Sequence, residues 1–275
     1  MAQPKRRRIP DDPDEFRQSL GDHLDELRTR IIRVVIFLAA AWLAGWYLEP
    51  FLYDTLQGAI KANLKASGHQ FVYLEVFRNA LDPFMLQLRL SFMIGAILTA
   101  PFATLQAWGF VKPGLKPKER KPFARAAPWA AALFIVGATF SLLILPNVVR
   151  WFASYMDNFP HTELHQEPGM MVFFTLKMML AFGFGFQLPL VVFIIGKLGL
   201  VTPETLMKNW RQCTVGIFTM SMIITPSNDV GSMLMMAIPL SVLFAASVQV
   251  LNWSIKRDKK LSLKQPPDVD ELGDQ

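Results

Sequence analysis

Two stretches of this chain, residues 126–149 and 178–196, contain no charged side chain. About 20 apolar residues in helical form cross the hydrocarbon core of a bilayer. Lipid offers no partner to an open backbone N–H or C=O, so such runs fold as spanning helices. Charge is scarce elsewhere too: 18% of residues are charged and 52% hydrophobic, against about 25% charge in a soluble domain. A spanning barrel does not fit, because its strands alternate polar and apolar residues over about ten positions. The pattern predicts a polytopic all-α integral membrane protein.

The predicted spans are 31–48, 84–110, 126–149, 170–196, 212–225 and 230–253. They divide the chain into an amino-terminal segment 1–30, a six-span membrane domain 31–253 and a tail 254–275 without a fixed fold. Within the first segment, Leu20, Leu24 and Leu27 have helical spacing, so 20–30 is expected as an amphipathic helix running into the first span. A cleaved signal peptide is the rival reading of that span. The long charged lead and the many later spans favour a retained helix. Residues 49–83 are expected as a loop with short helical pieces such as 50–65. Only about 14 residues, 212–225, precede Pro226, which gives about 21 Å of helix against a hydrocarbon layer of about 30 Å. The last two spans are therefore expected as a short hairpin with a thinned bilayer beside it.

The basic residues orient the chain. Segments 1–33, 111–125, 197–211 and 254–275 hold 22 of the 28 Lys and Arg, and the alternate segments 49–83, 150–169 and 226–231 hold four. The positive-inside rule places both termini in the cytoplasm. The net charge of +6 is thus a topology signal and not a nucleic-acid footprint.

Catalytic chemistry is sparse. His23, His69, His161 and His165 all lie outside the spans, and there is neither an HExxH metal motif nor a phosphate-binding glycine loop. Cys213 is the only cysteine. No cofactor, metal or catalytic residue is expected. Pro101, Pro128, Pro146, Pro189 and Pro239 fall in or at the ends of spans, where each removes a donor and favours a bent, concave scaffold.

Four segments together resemble one family. They are HLDELRTR at 23–30, LTAPFATLQAWGFVKPGLKPKERK at 98–121, FGFGFQLPL at 182–190 with GLVTPE at 199–204, and ITPSNDV to MAIP at 224–239. They are similar to TatC, the receptor component of the twin-arginine protein translocase, over residues 20–253. The resemblance implies a glove-like six-helix scaffold in the bacterial cytoplasmic membrane, with short fifth and sixth helices. It implies binding of twin-arginine signal peptides on folded precursor proteins, recruitment of TatA and TatB (or one protein in both roles), self-association, and export driven by the proton-motive force. It places the signal-binding carboxylates at Glu26 and Glu119, with Phe110, Pro113, Leu115, Lys118 and Arg120 as the neighbouring surface. Gln187 matches the buried Glu or Gln of the fourth span. Asp229 matches the Asp of the last outer loop, where TPSND has one extra residue, and Met233 stands where Gln is common.

Each of these residues also has a plainer reading. Glu26 is spaced to pair with Arg30, and Glu119 has Lys118, Arg120 and Lys121 beside it. Gln187, alone among apolar neighbours, needs a partner, whether a neighbouring helix of this chain or a docking helix from another protein. Arg89 and Lys177, inside the outer ends of their spans, are expected to snorkel outward. The alternative function is an ion-coupled carrier of a small solute, which would want internal repeats and polar groups at the membrane midplane. No convincing repeat relates residues 31–149 to 170–253, and there is little mid-membrane charge. An intramembrane enzyme would need a nucleophile or acid constellation within the spans, and none is visible.

Overall fold

The computed structural model describes residues 20–66, 73–111, 117–158, 164–225 and 229–262. In chain order the elements are α1 (Leu20–Ala66), β1 (Tyr73–Glu75), α2 (Asp82–Val111), α3 (Pro117–Ser154), a 3-10 turn (Tyr155–Asn158), β2 (Leu164–Gln166), α4 (Met170–Gly185), α5 (Leu188–Lys197), α6 (Pro203–Lys208), α7 (Trp210–Ile224) and α8 (Val230–Ser262). Among the described residues, five helical stretches are long and apolar enough to cross a membrane: His23–Ala66, Asp82–Val111, Pro128–Ser154, Met170–Lys197 and Val230–Arg257. Large apolar side chains on their outer surfaces, such as Leu43, Ile36 and Leu143, are exposed, as helices surrounded by lipid require. With 15 residues, α7 is the short one and falls outside that set.

Several expectations need correction. The sixth span is not short: α8 runs for 33 residues, because no proline or glycine lies between Trp253 and Ser262 and the helix tolerates Pro239. It extends through 254–262, where a tail without helix was expected, while 263–275 lie outside the described residues. The helical piece expected at 50–65 is present, but it is continuous with the first span, since α1 runs past Pro50 to Ala66. Ile60 and Leu64, four residues apart, are buried with Leu90, Ile94, Val149 and Leu176 of three other helices. That tertiary burial outweighs the hydrogen bond Pro50 removes. The fold is also not wholly helical. β1 and β2 pair in parallel, Tyr73 with Leu164 through Glu75 with Gln166, tying two loops at one end of the molecule.

The fourth span is broken where Pro189 lies. The N–H of Gln187 reaches the carbonyl of Phe184, a tight i→i−3 bond, and α5 restarts at Leu188 with Pro189 in its first turn. Proline has no N–H to return to Gly185, so the chain unwinds for one step.

Lipid tails are as apolar as Leu, so helices in a membrane associate through close packing at small residues. α1 and α2 do so at a pair of glycines. A Cβ at Gly45 would overlap the carbonyl oxygen of Ser91, and one at Gly95 would fall 2.8 Å from the Cα of Trp42. This contact sets the register that brings the amino-terminal part of α1 onto the carboxy-terminal part of α2. A second core, centred on Phe182, Met236, Leu240 and Leu251, joins α4 and α5 to α7 and α8.

Candidate functional site

The first turns of α1 lie against the last turns of α2. His23 stacks on Phe110 with ring centroids 4.3 Å apart and planes 16° from parallel. Two turns further along α1, Arg30 makes a fork around Glu26: its Nε donates to Glu26 Oε1 at 3.0 Å and its Nη2 to the same oxygen at 2.6 Å. Nη1 of Arg30 donates to Gln106 Oε1 at 3.1 Å, which fixes the guanidinium on α2. The group fits there because Gly109 has no side chain; a Cβ at that position would strike it.

Arg30 uses only one oxygen of Glu26. Oε2 is buried and has no hydrogen-bond partner among the described residues. A buried carboxylate oxygen without a donor is costly, and a second guanidinium is a donor that matches it in charge and shape. Arg30 therefore holds the carboxylate in place and leaves its second acceptor open.

The start of α3 is brought to the same end of the molecule by aromatic packing. Buried Phe123 on α3 packs on Trp108 of α2, with centroids 4.9 Å apart. Glu119 lies one turn before Phe123, in the first turn of α3, where the helix dipole favours an anion. Lys118 and Arg120 flank it in that turn; for these three residues only the backbone is described. Pro113 and Leu115 lie outside the described residues. The structure thus gathers Glu26, Phe110 and the backbone of the Glu119 turn around the α1–α2–α3 junction. Sequence reasoning missed His23, Gln106 and Gly109. Their roles depend on the register of α1 against α2, which local spacing does not encode.

The other singled-out residues lie elsewhere. Gln187 Nε2 donates to the carbonyl of Ala130 on α3 at 2.8 Å, while its Oε1 is buried without a partner among the described residues. The helix-to-helix contact expected of this amide is present, with half of its capacity still open. Asp229 caps α8: Oδ1 accepts the N–H of Ser232 at 2.7 Å and Oδ2 accepts its hydroxyl at 2.6 Å. Met233 sits in the first turn of α8, partly buried, and its N–H reaches the carbonyl of Asp229 at 3.3 Å. Lys177 places Nζ 4.6 Å from the centre of the Phe173 ring, one turn back towards the start of α4. That is the direction expected of a snorkelling lysine.

Comparison with known proteins bears on all of this. The family described as Sec-independent protein translocase protein (TatC) matches residues 22–239. The chain is similar to the TatC protein of Carboxydothermus hydrogenoformans, 32% identical over 84% of this chain and 91% of that one. It is also similar to that of Halalkalibacterium halodurans, 32% identical over 88% and 92% respectively. A crystal structure described as the twin-arginine translocase receptor TatC superimposes with a TM-score of 0.68 at 26% identity, covering 85% of this chain and 99% of the other. These matches replace the small-solute carrier raised as an alternative. The chain belongs to the TatC family, as a non-enzymatic, multi-pass membrane component of twin-arginine protein export.

Proposed function

We propose that this chain is the receptor that binds twin-arginine signal peptides through Glu26 and Glu119. The observation that carries the reading is the unpartnered Oε2 of Glu26, held in position by Arg30. One arginine of the signal peptide donates to that oxygen, and the other is taken by Glu119. Phe110, Pro113 and Leu115 offer apolar contacts to the peptide, and Lys118 and Arg120 stand beside Glu119. Arg30 is a positioning residue in this scheme.

In the same reading, both termini and this junction face the cytoplasm of a bacterial cytoplasmic membrane, as the bias of basic residues supports. The five long helices and α7 make six spans in a glove-like scaffold. Residues 1–30 form a cytoplasmic segment, 31–253 the membrane domain and 254–275 the cytoplasmic tail. TatA and TatB, or one protein in both roles, dock on the scaffold, with the open amide oxygen of Gln187 and the α7–α8 end at Asp229 and Met233 as contact points. Copies of the chain associate in the receptor complex, and the proton-motive force drives export.

Photocrosslinking tests the receptor role. A photoreactive residue at Phe110 or Leu115 is expected to capture a twin-arginine precursor in membranes. Excess twin-arginine peptide should abolish the adduct and the twin-lysine peptide should not, because an ammonium does not reproduce the planar fork. Equal competition by both peptides would remove arginine recognition from this site.

A further inference from the structure

The end of the molecule opposite Glu26 carries a cavity of about 320 Å³ between the segment after β1, the first turns of α2 and the segment after β2. Arg78, Asp82, Met85, Arg89 and Glu167 line it. One of its four charged groups differs from the other three. Asp82 is already engaged, its Oδ2 accepting the N–H of Arg78 at 3.0 Å and of Asn79 at 2.8 Å as α2 begins. Arg78, Arg89 and Glu167 are exposed, and among the described residues none of the three has an ion-pair partner within 4.0 Å.

Arg89 lies seven residues beyond Asp82 on a membrane-spanning helix, about 10 Å along its axis. Its sequence neighbours are Leu88 and Leu90, and Phe84, Met85 and Phe92 on the same helix are exposed large apolar side chains. A guanidinium at this depth is costly unless it meets an anion or reaches the headgroups. The cavity therefore combines charged groups of both signs with an apolar rim of exposed Val76, Phe77 and Met85. Charge complementarity narrows the occupant further. Backbone N–H groups occupy Oδ2 of Asp82 without cancelling its charge, so the lining carries two guanidinium groups and two carboxylates, a zwitterionic set that matches a phosphodiester joined to an ammonium. A soluble anion would use the guanidinium groups but neither the rim nor Glu167.

We propose that this cavity binds the headgroup of a membrane phospholipid bearing an amine, with the phosphodiester at Arg78 and Arg89 and the ammonium at Glu167. The proposal is independent of the signal-peptide site and leaves that site unchanged.

Native mass spectrometry of the full chain in mild detergent tests it. Titration with phosphatidylethanolamine is expected to fill one site more tightly than phosphatidylglycerol does. Arg89→Gln should weaken that site by roughly tenfold or more, the size of a lost hydrogen bond to a charged group. Glu167→Gln, on an exposed loop, should leave phosphatidylglycerol binding in place and erase the preference for the amine; it decides the matter even if Arg89→Gln does not fold. Equal affinities for the two lipids in the wild type, or a preference that survives Glu167→Gln, would overturn the proposal. Inorganic phosphate or glycerophosphoethanolamine competing as well as the intact lipid would also overturn it, by assigning the cavity to a soluble ligand.

Discussion

Replacing Glu26 with Gln is expected to weaken twin-arginine peptide binding by close to 30-fold. Removing one partner of a desolvated, hydrogen-bonded charge pair costs about 2–5 kcal/mol, or roughly 30- to 4,000-fold at 1.4 kcal/mol per decade. Two features place this case at the low end. Arg30 already shares the carboxylate at 2.6 Å, which reduces its attraction for a second cation, and both side chains keep 22% of their surface exposed. Gln preserves shape and an acceptor, so the loss reports charge. Titration of a labelled signal peptide into nanodisc-embedded protein measures it. Higher salt should weaken wild-type binding and narrow the gap, since the exposed part of the site is screened. Protein level and membrane insertion should match the wild type.

Lengthening α7 is expected to abolish export without preventing insertion. Its 15 residues make about 22 Å of helix, some 8 Å less than a typical hydrocarbon layer. Mismatch costs fractions of a kcal/mol per Å, so thinning the bilayer here amounts to a few kcal/mol at most. The protein sustains that cost in its packing of α7 on α8, where Ile217 and Ser221 are buried. Four Leu residues inserted before Ile224 bring the helix to about 28 Å and leave Ile217 and Ser221 in register. The lengthened protein should reach the membrane at normal levels and export little precursor in a pulse-chase assay. A normal export rate would show that the short helix has no part in translocation.

How much of this was legible in the sequence follows from the range of each interaction. The long spans were readable because charge-free runs are a local signal, and the break near Gln187 because Pro189 removes a known donor. Helix at 50–65 was readable too, but its unbroken join to the first span was not. Pro50 is a local stop signal, whereas the burial that overrides it comes from Leu90, Ile94, Val149 and Leu176. The β1–β2 pair joins two three-residue strands about 90 positions apart, too short to show an alternation. In the site, the Glu26–Arg30 pair follows from i,i+4 spacing. The partners that define its chemistry do not: Gln106 is 76 residues from Arg30, and Ala130 is 57 residues from Gln187. Which oxygen of Glu26 stays open is a matter of side-chain geometry alone.

The central claim is that Glu26 and the signal-peptide arginines share a contact, and a double-mutant cycle measures this most directly. Peptide affinity is determined for wild type and Glu26→Gln, each with the twin-arginine peptide and its twin-lysine variant. If the contact is shared, the second change costs far less after the first, because the same interaction is lost twice. The coupling should then approach the smaller of the two single effects. Full additivity, with both proteins normally folded and inserted, would show that the open oxygen of Glu26 does not receive a signal-peptide arginine.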